Sequence, residues 1–138
     1  MQRAISEAKI AFEQGEVPIG AVVECGGRIV GKGHNLVETL GDATAHAEMQ
    51  AITAAMNTLG GKYLMECTLY VTVEPCVMCA GALAWSQIGR IVYGTDEPKK
   101  GYTTIPHPLL HPKTKVEKGV MEEECKALME EFFKKLRR

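Results

Sequence analysis

Apolar residues recur at helical spacing at the start of the chain. Ile5, Ala8, Ala11 and Phe12 form one stripe and predict a helix over residues 1–14, with Gly15 as its stop. The pattern then shortens. Residues 19–24 are a short apolar run of strand character. Gly26-Gly27 is a hairpin signal, and residues 28–34 return as the partner strand. Residues 36–43 read as a loop. Residues 45–59 contain neither Gly nor Pro and are apolar nearly all round, which predicts a buried helix, capped by Asp42 or Thr44 and ended by Gly60-Gly61. Residues 68–73 are an unbroken run of β-formers, as in a central strand. Pro75 opens a helix reaching Ser86, and residues 90–94 form another strand. Five prolines and glycines between residues 95 and 112 make that stretch a loop (Pro98, Gly101, Pro106, Pro108, Pro112), followed by a short strand at 115–118. Met121, Cys125, Leu128, Met129, Phe132, Phe133 and Leu136 form the stripe of a last helix, acidic at its start and basic at its end.

Strands alternating with helices imply an α/β chain. With 138 residues, 46% hydrophobic and 24% charged, it is expected to be a single domain over 1–138 with a real core. No apolar run is long enough to cross a membrane, and no signal peptide precedes the first helix, so a cytoplasmic location is expected. Five cysteines without a repeating framework argue against a disulfide scaffold; Cys25, Cys67 and Cys125 read as small core residues. Trp85, late in its helix, is expected in the core or at an interface.

The net charge of −1 hides an asymmetry. Residues 99–138 carry ten Lys/Arg against six Asp/Glu, or +4, and residues 1–98 carry six against eleven, or −5. A basic C-terminal third suits a phosphate backbone, with Lys99, Lys100, Lys113, Lys115, Arg137 and Arg138 as candidate RNA contacts. Solvated helix faces are the bland explanation of the same charges.

Candidate chemistry sits in two short segments, His46-Ala47-Glu48 and Pro75-Cys76-Val77-Met78-Cys79. A zinc ion that activates water takes three protein ligands and keeps a fourth position open, whereas a structural zinc closes it. His46, Cys76 and Cys79 supply three, and Glu48 is left to move protons as general acid/base. Cys76 and Cys79, three apart at a helix start, face one side, where the helix N-terminus favours thiolates. His46 and Glu48 converge only at the rim of a helix N-terminus. The economical geometry is therefore two helix starts facing one Zn²⁺, with ligand charges summing to about zero. His-x-Glu followed by Pro-Cys-x-x-Cys is the signature of zinc nucleobase deaminases. A Cys-x-x-Cys pair alone also serves redox chemistry, which leaves His46 and Glu48 unexplained. Asn35, ending the second strand, reads equally as a base contact or a strand-end cap.

At these residues the chain resembles the cytidine deaminase-like superfamily, and within it the bacterial tRNA-specific adenosine deaminases. The resemblance covers nearly the whole chain. It is carried by Glu16-Val17-Pro18-Ile19-Gly20-Ala21-Val22, Thr44-Ala45-His46-Ala47-Glu48, residues 69–82 around Pro75-Cys76-Val77-Met78-Cys79, residues 88–94, and the last helix with Glu123-Glu124-Cys125 and Phe132-Phe133. It implies a three-layer α/β/α fold with a central mixed five-stranded sheet, a homodimer, and zinc on His46, Cys76 and Cys79. It makes Glu48 the proton shuttle, with Asn35 and the backbone of Ala47 contacting the base. The implied reaction is adenosine to inosine in a tRNA anticodon stem-loop, at the wobble position. Deamination of free guanine, cytosine or cytidine is the runner-up, and a zinc-stabilised binding module without catalysis the third reading. A free-base enzyme closes its pocket with an aromatic or acidic C-terminal side chain, and Lys134-Lys135-Leu136-Arg137-Arg138 favours RNA instead.

Overall fold

The β1–β2 hairpin turns at Gly26 and Gly27, whose φ values of 59° and 81° are those a tight two-residue turn demands and L side chains resist. In the computed structural model, which describes residues 1–137, this hairpin is one edge of a five-stranded sheet. The strands are β1 (Gly20–Cys25), β2 (Arg28–His34), β3 (Cys67–Val73), β4 (Arg90–Thr95) and β5 (Lys115–Lys118), in the order β2-β1-β3-β4-β5. β1 runs antiparallel to both β2 and β3, while β3, β4 and β5 are mutually parallel. The sheet is mixed and five-stranded, as the resemblance implies.

The helices are α1 (Gln2–Glu13), α2 (Val37–Leu40), α3 (Ala47–Leu59), α4 (Val77–Trp85) and α5 (Glu122–Leu136). α1 and α5 cover one face of the sheet and α3 and α4 the other, giving the three layers. Side-chain alternation along the strands divides the core accordingly. Ala21, Val23, Leu69, Val71, Ile91 and Tyr93 pack with Ala51, Ile52, Ala55 and Leu83 of α3 and α4. Fully burying one such aliphatic side chain stabilises by about 1.5–3 kcal/mol.

One contact fixes where α3 lies. Gly31 and Gly33 of β2 have no Cβ, and one added there would overlap the main chain of α3 at Ala51 and Ala55, and at Ala47. Ala47, Ala51 and Ala55 recur every four residues and are buried, so small helix residues meet small strand residues and the backbones approach closely. The helix start, with His46 as its N-cap, is thereby pinned at the end of the sheet where β1 begins.

Several boundaries differ from the sequence expectation for identifiable reasons. Residues 36–43 are not all loop: α2 forms one helical turn because Glu16 accepts the N–H groups of Glu38 and Thr39. Asp42 does not cap α3; its Oδ1 accepts from the Thr44 N–H and hydroxyl, and His46 takes the N-cap position. α3 is buried over its first turns but exposed in its last one. Pro75 lies outside α4, because the chain stays extended through Cys76 (φ −73°, ψ 173°) while the Pro75 carbonyl accepts the Tyr102 N–H at 2.9 Å. Residues 102–104 form a 3₁₀ turn within the long loop. Cys67 and Cys125 are buried as expected, whereas Cys25 is only half-buried. Trp85 is 85% exposed, so it is not a core residue, and Phe133 and Leu136 likewise leave the expected apolar stripe of α5 facing outward. Among the described residues no helix is long and apolar enough to cross a membrane.

Candidate active site

His46 and Cys76 hold equivalent positions on two facing helices: each is an N-cap in extended conformation, of α3 and α4 respectively. Cys79 lies three residues on, in the first turn of α4, and Glu48 in the first turn of α3. The expectation of two opposed helix starts is met in the described structure. His46 Nδ1 lies 3.6 Å from Cys76 Sγ and 3.5 Å from Cys79 Sγ. All three donor atoms fall within 4.8 Å of one another, and theirs is the single such cluster among the described residues.

These distances fit a metal. Zn–N near 2.0–2.1 Å and Zn–S near 2.3 Å at a tetrahedral angle place N and S about 3.6 Å apart. The chemistry of the donors fits as well: one nitrogen and two sulfurs, from a half-exposed ring, a half-exposed thiol and a buried thiol.

Proton affinities at the site are strongly perturbed. A hydrogen bond from the Cys79 thiol is the main cause holding Cys76 down at about 4; burial opposes it, and the His46 ring adds to the lowering. Cys79 is pushed far up by the same hydrogen bond and by burial. The Cys76 sulfur raises the His46 ring, against burial. Glu48 is almost wholly buried, and that burial pushes its carboxyl up to about 7, with its own backbone N–H pulling the other way. A carboxyl so placed both takes and gives a proton near neutral pH.

The four side chains open differently. His46, Glu48 and Cys76 line a cavity of about 750 Å³, within the usual range for small-molecule clefts; Cys79 lies behind them, fully buried. Val17, Ile19 and Val73 make the apolar wall. Glu97, Lys99 and Lys100 of the β4–β5 loop, Met129, Glu130, Phe133 and Lys134 of α5, and Arg137 just beyond α5 complete the lining.

The sequence candidates therefore separate. Lys99, Lys100 and Arg137 are at the cavity. Lys113 and Lys115 are not: Lys115 pairs with Arg90 at the start of β4, the opposite end of the sheet, and both lysines line a different, smaller cavity there. Parallel pairing of β5 with β4 carries them away, a placement that charge counting cannot reveal. Arg138 lies outside the described residues. Neither Asn35 nor Ala47 lines the cavity. The Asn35 oxygen accepts the Val37 N–H at 3.0 Å, the strand-end cap, and its own N–H donates to Ile19, which does line the cavity. Ala47 is the first residue of α3, where a main-chain N–H has no partner within the helix.

Two residues escaped the sequence reading. Glu16 and Glu74 are 1% and 4% exposed, and each carboxylate accepts two main-chain N–H groups and one threonine hydroxyl, Glu16 from α2 and Glu74 from residues 97–103. The available signal was an acidic residue at the border of an apolar strand, as in Val71-Thr72-Val73-Glu74-Pro75.

Comparison with known proteins agrees with this geometry. The family model described as MafB19-like deaminase matches residues 1–137. A tRNA-specific adenosine deaminase of Aquifex aeolicus is 47% identical over 139 residues, spanning 97% of this chain and 91% of that protein. A solved structure from work on A-to-I editing by tRNA:A34 deaminases at the wobble position of transfer RNA has a TM-score of 0.87 at 39% identity, and covers 93% of this chain and 96% of that one. A guanine deaminase structure from Bacillus subtilis has a TM-score of 0.67 at 38% identity, covering 70% of this chain and 62% of that one.

Proposed function

The chain belongs to the MafB19-like deaminase family and is a deaminase; from that premise we propose that it converts adenosine to inosine at the wobble position of a tRNA anticodon, with zinc held by His46, Cys76 and Cys79. The observation that carries the proposal is that His46, Cys76 and Glu48 line one cavity together with Lys99, Lys100, Lys134 and Arg137. Cations so placed neutralise the phosphates flanking an extruded nucleotide.

A zinc ion bound there supplies Lewis-acid activation of water. The remaining work belongs to the chain. Val17, Ile19 and Val73 give the cavity an apolar lining that limits bulk water beside Glu48. The Glu48 carboxylate accepts the proton of the attacking water and returns it to the amine nitrogen as ammonia departs from C6 of adenine. Asn35, with its oxygen committed to Val37, offers its amide N–H groups, and Ala47 its main chain, as base contacts. The single domain acts in the cytoplasm as a homodimer in this reading. Exposed Val77, Met78 and Trp85 on α4 support the association, because apolar side chains gathered on one helix gain by leaving water.

A second reading has a specific observation behind it. Glu130 and Phe133 of α5 also line the cavity, and such side chains suit a free base such as guanine. One panel separates the readings: ammonia release by zinc-loaded protein from an anticodon stem-loop with adenosine at the wobble position, its single-stranded equivalent, and free adenosine, cytidine, cytosine and guanine, with Glu48→Ala as blank. Turnover of the stem-loop alone is the expected outcome. Turnover of a free base with the stem-loop untouched overturns the tRNA proposal.

A further inference from the structure

Glu74 leaves β3 one residue before Pro75 and two before Cys76. Burying a carboxylate is costly unless donors replace the lost water. Here the donors all come from one loop. The Glu97 N–H donates to Oε1 at 3.1 Å, and the Thr103 N–H and hydroxyl donate to Oε2 at 3.1 and 2.7 Å. Gly101 passes so near that a Cβ there would overlap the Glu74 carboxyl. Inside this frame, the Glu97 carboxylate accepts the N–H groups of Lys99 and Lys100 at 3.2 and 3.1 Å, and its carbonyl accepts the Gly101 N–H at 2.9 Å. One buried carboxylate thus grips residues 97–103 at both ends, and Glu97, Lys99 and Lys100 between the grips line the catalytic cavity.

We infer that Glu74 is a positioning residue, which holds residues 97–103 as a rigid cavity wall so that Lys99 and Lys100 meet the substrate's phosphates. The inference rests on the reading of the substrate as RNA. Glu74 touches no reacting atom in this account; it acts through the loop. A staple that only stabilises the fold would lower the melting temperature and leave substrate affinity alone. A staple that positions cations raises KM and removes ionic contacts, with less effect on the chemical step.

The test compares wild type, Glu74→Gln and Thr103→Val as zinc-loaded proteins. Zinc content and melting temperature are recorded, together with kcat and KM on the stem-loop and the salt dependence of stem-loop binding. Thr103→Val keeps the main-chain N–H, removes the hydroxyl donor and alters neither a metal-ligand residue nor Glu74 itself, so it remains informative if Glu74→Gln folds poorly. The expected result for Glu74→Gln is a KM raised about tenfold with kcat within about threefold. The slope of log affinity against log salt should fall by about 1 to 2, the loss of one or two phosphate contacts. Thr103→Val should move KM and slope in the same direction by less. A fall in kcat at unchanged KM, or a lower melting temperature with KM and salt slope unmoved, overturns the inference. If wild type itself neither binds nor turns over the stem-loop, the RNA reading fails and this inference with it; wild-type turnover with indifferent variants sinks the inference alone.

Discussion

His46 Nδ1 and Cys76 Sγ lie 3.6 Å apart although thirty positions separate the residues, because each is the N-cap of a helix and the two helix starts meet. Neither side chain needs an unusual loop to reach the other. The extended conformation of an N-cap turns its side chain outward from the helix end, and the dipoles of both helices favour thiolate and carboxylate there. The site follows from where α3 and α4 begin.

Replacing Glu48 by Gln keeps the shape of the buried side chain and removes its proton chemistry. We expect ammonia release to fall by about 10²–10⁴-fold with metal content unchanged. Metal analysis beside the kinetic assay checks this; retained activity would remove Glu48 from the mechanism and favour a binding module.

The docking of α3 can be tested through glycine. A Cβ at Gly31 would overlap the main chain at Ala51 and Ala55, so Gly31→Ala should destabilise the fold by about 1–3 kcal/mol, the usual range for overpacking. Metal affinity should weaken too, since α3 carries His46. Gly61→Ala is the control, because nothing lies within 4 Å of a Cβ built there. Urea unfolding of the two variants should separate them clearly.

Glu16 sets a pH dependence. Burial pushes its carboxyl up, but the hydrogen bonds from Thr39 and Glu38 outweigh it and leave the net shift downward from 4.5. A carboxyl lowered in the folded state contributes stability that is present above its unfolded value and lost as pH falls through the folded one. Glu16→Gln should therefore be less stable than wild type at pH 7, with a gap that narrows as pH drops below about 4.5. Urea midpoints at neutral and acidic pH test this; a gap of constant size would contradict the linkage.

The two lysine pairs should behave differently toward RNA. Lys99→Ala with Lys100→Ala removes cations at the cavity, and should weaken stem-loop binding and reduce its salt slope by about 2. Lys113→Ala with Lys115→Ala removes cations at the other end of the sheet and should leave both nearly unchanged. Fluorescence anisotropy across a salt series decides between these outcomes.

Much of the protein is legible in its sequence. The strands and main helices follow from apolar period and from Gly-Gly turns, which act over a few residues. The cluster of His46, Cys76 and Cys79 was legible because the three are donor types at a spacing that suits a metal, and the fold brings their donor atoms together. Other features depend on partners distant in the chain. The long loop reads as Pro- and Gly-rich coil, yet Glu74 fastens it from twenty-three residues upstream of Glu97. Pro75 has the residue type of a first helical position, but its carbonyl is claimed by Tyr102 and the helix starts later. Trp85 carries the apolar surface of a core residue and lies outside the core, because the face of α4 that meets the sheet is set by Cys79, Ala80 and Leu83. Lys113 and Lys115 share the charge of Lys99 and Lys100 and were separated from them by the parallel pairing of β5. Local pattern and residue chemistry act within a turn or a strand, so sequence alone determined the elements and the reaction type. Which loop covers the site, which cations surround it and which apolar face stays open depend on contacts between segments far apart in the chain, and those the tertiary structure decided.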